Sequence, residues 1–321
     1  MTETRIRLTL LGGFLGSGKT TWLRHQLHEG VFAGAYVIVN EAAETPVDDA
    51  LLQGSSKLSV LAGGCACCDG KQDLISLLRK ICDDRSKTDS TGQRLERIIL
   101  ETSGLADPAP IVEAIRNDPI LIYHIVISEI LLTVDAVHGL SQLRSEPLGR
   151  RQIETADCLM ITKLDEANTA ELGKLLATLR VLNPGAEMFG TVKGTKTPLP
   201  SPMDSEPDTL AVLLPDAELP PIFPSKLVID ERIDWTTFSV WLSALLHARG
   251  DDVLRVKGVV KTPAGRLLVQ AVRKIVQSPE ILPEQTDGPQ REDNTIVLIG
   301  RGYRSEDLVR SLDFFAGNAR S

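Results

Sequence analysis

The sequence predicts an α/β protein: a doubly wound, mostly parallel sheet followed by a smaller α+β domain. Three observations predict it. Residues 12–21 read GGFLGSGKTT between an apolar run and a helix-forming segment. Short apolar runs then alternate with helical stripes as far as about residue 185. Finally, eight of the 18 prolines crowd into residues 195–224, and beyond them the pattern changes. The expected organisation is a first domain over 1–194, a proline-rich linker over 195–224 and a second domain over 225–321.

The elements follow in order. Residues 7–11 (RLTLL) are a short buried strand, and 20–28 (TTWLRHQLH) can start a helix without a breaker. Residues 35–39 (AYVIV) and 58–61 are the next apolar runs, and 71–81 carries apolar residues at 74, 75, 77, 78 and 81, one face of a helix. Residues 97–100 (RIIL) form a strand, and Pro108 starts a helix through 116. A strand over 125–134, a helix over 136–143 and a strand over 156–161 come next. A helix over 169–182 is closed by Asn183-Pro184-Gly185. Beyond the prolines, strands are expected at 226–229, 253–261, 267–272 and 295–299, with helices at 235–247 and 306–314.

Composition bounds the chemistry. The chain has 321 residues, 42% of them hydrophobic, enough for two cores. A net charge of -8 and only 4% aromatic residues argue against nucleic acid as a partner. No charged-then-apolar leader opens the sequence. The most apolar stretch, 120–134, is interrupted by His124, Ser128 and Glu129 and is too short to span a bilayer. A cytoplasmic protein without membrane contact is expected.

Gly13, Gly18, Lys19 and Thr20 satisfy the G-x-x-x-x-G-K-[ST] pattern of a phosphate-binding loop, in the strand–turn–helix context that pattern requires. Glycines let the backbone curl its N–H groups around a phosphate, and the helix adds its positive end. Lys19 would bridge the β- and γ-phosphates and the Thr20 hydroxyl would ligate Mg²⁺. Glu101 closes an apolar strand, where such a site needs a second acid, and Ser103-Gly104 follow it, the glycine able to offer an N–H to a γ-phosphate. Residues 162–165 (TKLD) resemble the guanine-reading [NT]-K-x-D element. A carboxylate can accept from both the ring N–H and the exocyclic amine of guanine, and adenine offers no such donor pair.

Cys65, Cys67 and Cys68 put three thiols into four residues, too close to pair easily with one another and suited to a soft metal. The set is incomplete for a four-cysteine site unless Cys82, Cys158 or other ligands such as Glu41 or Glu44 join it. Small buried residues or a redox pair are the competing readings. The five histidines form no cluster.

GGFLGSGKTT, then VNE, GGCACC, ETSGLADPAP and TKLD, in that order, resemble the CobW family of P-loop GTPases, relatives of the urease and hydrogenase nickel chaperones. Residues 252–260, Val269-Gln270 and 294–301 look like that family's C-terminal domain. The resemblance implies a P-loop NTPase fold and a GTPase that binds Zn²⁺ or a similar ion and delivers it to a client metalloprotein. It implies that Gly13, Gly16, Ser17, Gly18, Lys19, Thr20 and Thr21 hold GTP and Mg²⁺, and that Glu101 and Gly104 sense the γ-phosphate. Lys163 and Asp165 would read guanine, while Cys65, Cys67 and Cys68 with Glu41 or Glu44 would hold the transported metal. The oligomeric state is open, a homodimer included. The chain departs from the family at residues 41–48, where Ala42, Ala43 and Thr45-Pro46 replace a glycine-containing loop, and at Ala271 and Arg273-Lys274, where a glycine and histidines are common. Two other readings of the same residues remain: a P-loop kinase or ATPase with structural cysteines, and a scaffold that binds nucleotide without turnover.

Overall fold

The computed structural model describes residues 5–40, 57–61, 70–86, 94–200, 206–207, 222–230, 233–250, 252–272, 274–276, 279–282 and 293–317. The chain divides into two units, Met1–Leu182 with Ala186–Leu214 and Asn183–Gly185 with Pro215–Ser321.

The first unit runs β1 (Ile6–Gly13), α1 (Lys19–His28), β2 (Tyr36–Asn40), β3 (Lys57–Leu61), α2 (Lys71–Ser86), β4 (Arg97–Glu101), α3 (Pro108–Asn117), α4 (Leu121–His124) and β5 (Ile125–Asp135). It continues with α5 (Gly139–Ser145), α6 (Pro147–Thr155), β6 (Cys158–Thr162), α7 (Thr169–Leu182), β7 (Glu187–Val192) and β8 (Thr195–Thr197). Its sheet has the order β3-β2-β4-β1-β5-β6-β7-β8. Every pairing is parallel except β7 with β8.

The central strands explain the apolar runs. Ile6, Leu8, Leu10 and Leu11 of β1 and Ile98, Ile99 and Leu100 of β4 are fully buried, as strands covered on both faces must be. β1 leads to β2 on one side of the sheet, whereas its neighbour β4 leads to β5 on the other. Adjacent strands whose connections leave in opposite directions make a topological switch point, and α/β sheets open a crevice there at the carboxyl ends. Gly13 and Glu101 stand at those two ends.

Four elements of this unit were not anticipated: α4, α6, β7 and β8. The last of these moves a boundary. β7 and β8 pair as a hairpin whose turn residues, Lys193 and Gly194, have φ of 51° and 95°. Two successive positive φ values match the twist of a two-residue hairpin. The sheet therefore extends past the expected cut at 194, and β9 (Ile222–Val228) likewise begins inside the expected linker.

The second unit continues with α8 (Trp235–Arg249), β10 (Val253–Thr262), β11 (Gly265–Val272), β12 (Ile275–Val276), β13 (Glu280–Leu282), β14 (Thr295–Arg301) and α9 (Ser305–Phe315). Its antiparallel sheet has the order β12-β11-β10-β14-β9, with β13 also on β11. Phe238, Trp241, Leu242 and Leu246 of α8 and Leu308 and Leu312 of α9 pack on alternate residues of the strands, including Val256, Val260, Ile296 and Leu298. This one-sided covering is the α+β arrangement expected from the second half of the sequence.

Candidate functional site

The loop between β1 and α1 is held from two strands, β5 and β6. Gly13 has φ of 139°, and a Cβ there would collide with the Thr133 hydroxyl and carbonyl of β5, so the position admits glycine alone. The buried Ser17 hydroxyl donates to Phe14 O at 2.7 Å and lies 2.6 Å from Thr133 Oγ1. From β6, the Thr162 hydroxyl reaches Ser17 O at 2.9 Å and Val134 O at 3.2 Å. Gly16 and Leu15, at the tip, are exposed.

Lys19 begins α1. Its ammonium turns back under the loop, donating to Gly13 O at 2.9 Å and Phe14 O at 3.1 Å. No side chain caps α1, and Trp22 N–H donating to Gly18 O at 3.0 Å closes its first turn. The amides of that turn and the positive end of the helix dipole thus face the hollow of the loop. An anion with several oxygens fits such a hollow.

Thr20 and Glu101 meet across the switch point. The Thr20 hydroxyl donates to Glu101 Oε1 at 2.5 Å, and Glu101 is 3% exposed. Two hard oxygens so close to a phosphate cradle fit a small divalent cation such as Mg²⁺, which takes one or two protein oxygens and completes its shell with water and phosphate. Sheet register sets this geometry, because Glu101 pairs with Leu11 of β1 and with Val39 of β2.

Residues 102–107 lie against the phosphate loop. A Cβ on Gly104 would come within 2.7 Å of Leu15 N and 2.8 Å of Leu15 Cα, so a side chain there would push the two loops apart. Thr102 N–H donates to Leu11 O at 2.9 Å. Asp107 accepts from Ala109 N–H at 3.0 Å and caps α3 behind Pro108. From α6, the buried Gln152 amide donates to Ala106 O at 2.7 Å and Gly104 O at 3.4 Å.

The fourth wall is the loop after β6. Lys163 has φ of 57°, and Asp165 sits exposed on a single 3-10 turn, Leu164–Glu166. Lys163 Nζ donates to Asp135 Oδ2 at 2.6 Å, and Asp135 Oδ1 accepts from Val137 and His138 N–H at 2.8 and 3.0 Å. Burial alone would raise the Asp135 pKa; the Lys163 hydrogen bond and the two amides outweigh it and hold the carboxyl below its ordinary value.

The structure therefore brings Gly13, Gly16, Ser17, Gly18, Lys19, Thr20, Glu101, Gly104, Lys163 and Asp165 to one edge of the sheet; Thr21 follows in the exposed part of α1. Glu41, Glu44, Cys65, Cys67 and Cys68 lie outside the described residues, as does the segment 41–48. The other two cysteines are core residues. Burial pushes Cys82 up to about 11 and Cys158 up to about 12, so both remain thiols at neutral pH. Among the described residues, no group of three or more His, Cys, Asp or Glu could hold a metal ion. Sequence reasoning missed Asp135 and Gln152. Asp135 closes an apolar strand just as Glu101 does, a signal that could have found it; Gln152 carries no signal of its own.

Residues 7–190 match the family model described as CobW/HypB/UreG, nucleotide-binding domain, which is more than half of the chain. The chain belongs to the CobW/HypB/UreG family. Residues 226–316 match a second model, the cobalamin synthesis protein cobW C-terminal domain. Among CobW/HypB/UreG relatives, the zinc chaperone YjiA of Escherichia coli is 28% identical over 327 residues, covering 94% of this chain and 96% of the relative. The zinc chaperone CobW of Pseudomonas aeruginosa is 28% identical over 317 residues, covering 85% and 82%. The crystal structure of Zn(II)-bound YjiA GTPase from E. coli superposes with a TM-score of 0.61 at 25% identity, covering 99% of this chain and all of that one. The fold of this CobW/HypB/UreG member is thus shared across both units.

Proposed function

We propose that this chain is a GTPase that carries zinc to a client metalloprotein, with GTP as its nucleotide and Mg²⁺ as its cofactor. The observation that carries the reading is the meeting of Thr20 with Glu101 beneath the Lys19 loop, at the switch point of the sheet. The names of the relatives support it: two are zinc chaperones, and a third, from Schizosaccharomyces pombe, is a zinc-regulated GTPase metalloprotein activator at 25% identity.

In this reading Gly13, Gly16, Ser17, Gly18 and Thr21 wrap the phosphates, and Thr20 and Glu101 hold Mg²⁺, which when bound offsets phosphate charge. Lys19 exchanges Gly13 O and Phe14 O for the β- and γ-phosphate oxygens, so its positive charge stands where negative charge shifts during transfer to water. The Gly104 N–H meets the γ-phosphate. Lys163, its head pinned by Asp135, lays its stem along the base, and Asp165 accepts from guanine. The zinc carried to the client is held by Cys65, Cys67 and Cys68 with Glu41 or Glu44. No helix among the described residues is long and apolar enough to cross a membrane, which accords with work in the cytoplasm.

Zinc titration of the metal-free protein tests the cargo. Tight binding is expected, weakened about tenfold or more in Cys67→Ala; an unchanged affinity in that variant removes the assignment. GTP turnover with Mg²⁺ tests the enzyme, and Asp165→Asn is expected to abolish the preference for GTP over ATP.

A further inference from the structure

We infer that Gln152 is a positioning residue for GTP hydrolysis: by holding the carbonyls of Gly104 and Ala106 its side-chain amide fixes the loop just after Gly104, and so restricts rotation at the Cα that carries the N–H meeting the γ-phosphate. The inference rests on the reading of Gly104 as the γ-phosphate donor.

Gln152 is 1% exposed, on a helix whose buried residues include Arg150, Glu154 and Thr155. Burying a primary amide is unfavourable unless its hydrogens find acceptors. Both acceptors given to this amide belong to one loop, Ala106 O at 2.7 Å and Gly104 O at 3.4 Å. That loop is also the segment between Glu101 and α3, which begins at Pro108. An apolar side chain of the same volume would fill the space, but it would leave two buried carbonyls without this donor.

The contacts around Gly104 show what the amide does. On one side its Cα abuts the Leu15 backbone of the phosphate loop. On the other its carbonyl is held by Gln152, and the next carbonyl but one is held by the same nitrogen. Within the loop, Ala106 N–H donates to Ser103 O at 2.9 Å, and Leu105 N–H reaches Ser103 Oγ at 3.4 Å. Gly104 is therefore held from both flanks, by Leu15 at its Cα and by Gln152 at its carbonyl, and its N–H, on the preceding Ser103–Gly104 peptide, is left with little room to turn about that Cα. A backbone donor fixed in advance costs no reorganisation when charge develops on the transferring group. A donor free to rotate loses that advantage. The role assigned to Gln152 is indirect: it acts through Gly104.

The test uses the full chain and compares the affinity of GDP with that of a non-hydrolysable GTP analogue, together with kcat and Tm. Gln152→Met conserves volume and removes both donors; Gln152→Asn keeps the amide but, one methylene shorter, cannot reach both carbonyls, and serves if the first variant fails to fold. In either variant, GDP affinity stays within about twofold, analogue affinity falls about fivefold or more and kcat falls about tenfold. A merely structural role would lower Tm and weaken both nucleotides alike, without changing their ratio. Equal loss for the two nucleotides, or an unchanged ratio and kcat, overturns the inference. Gly104→Ala separates it from the reading beneath it. If that variant leaves the ratio unchanged, Gly104 is not the γ-phosphate donor and both fall. If it collapses the ratio while the Gln152 variants do not, only the role of Gln152 is lost.

Discussion

Lys163 Nζ lies 2.6 Å from Asp135 Oδ2, joining the end of β6 to the end of β5 through a carboxylate that is 1% exposed. The ammonium itself is partly open to solvent, so the pair is screened on one side and buried on the other. Its main effect is geometric: the Lys163 stem is stretched between a left-handed backbone and a fixed head.

Asp135→Asn tests this pair twice. It keeps the shape but removes the charge, so GDP binding weakens about five- to twentyfold as the Lys163 stem is released. Stability also falls, by about 1–2 kcal/mol at neutral pH. The sign of the pH dependence follows from the depressed Asp135 pKa. Stability gained from the ionised carboxylate is full above the ordinary aspartate value of about 3.9 and is lost as pH falls through the lower folded value. Urea unfolding of wild type and variant at pH 7 and below pH 4 should show the gap closing in acid.

Thr20→Val removes one hydroxyl at nearly constant volume, though the buried Glu101 oxygen loses its 2.5 Å donor. Mg²⁺-stimulated GTP turnover should drop about a hundredfold. Nucleotide binding in the presence of a chelator should stay close to wild type. Titration of turnover against Mg²⁺ checks it, and a full response at ordinary concentrations would refute the assignment of Thr20.

Gly13→Ala places a methyl into Thr133 at a φ that side chains avoid. The expected cost is about 2–4 kcal/mol, read as a lower urea midpoint, together with loss of nucleotide binding. Gly16→Ala, whose Cβ would meet nothing within 4 Å, is the contrasting substitution. Its positive φ still costs about 1 kcal/mol.

Cys82 and Cys158 should resist alkylation in the native protein at pH 8, since both are buried and their thiols are held at about 11 and about 12. Peptide mapping after a short pulse of iodoacetamide checks this. Rapid labelling of either, without unfolding, would contradict its place in the core.

The phosphate loop, Glu101 and α7 were legible because each follows a local rule. A spaced glycine motif, an acid after three apolar residues and a clean helical stripe ended by Asn-Pro-Gly need no tertiary context. α6 was not legible, because PLGRRQIET shows no apolar face: its buried side is largely Arg150, Gln152, Glu154 and Thr155. Its acceptors lie outside the helix: Arg150 reaches Leu143 O of α5 at 2.6 Å, and Gln152 reaches a loop 46 residues away. Such polar burial is a property of the assembled fold. The helix expected from 136 begins instead at Gly139, since Asp135 ties up the amides of Val137 and His138. The β7–β8 turn was missed because Lys193 takes a conformation more usual for Asn, Asp or Gly.

The hairpin turn at Lys193-Gly194 has a further consequence. Gln26 of α1 donates to Gly194 O at 3.0 Å, and His25 Nε2 lies 3.2 Å from Thr195 Oγ1. α1 is thus a rod about 15 Å long, by its ten residues, with one end in the phosphate loop and the other braced on the last strand of the sheet. A tilt of about 4° at the loop would displace the braced end by about 1 Å. The strand it rests on is the last of the sheet, so one rigid element ties the shape of the phosphate loop to the position of that edge strand.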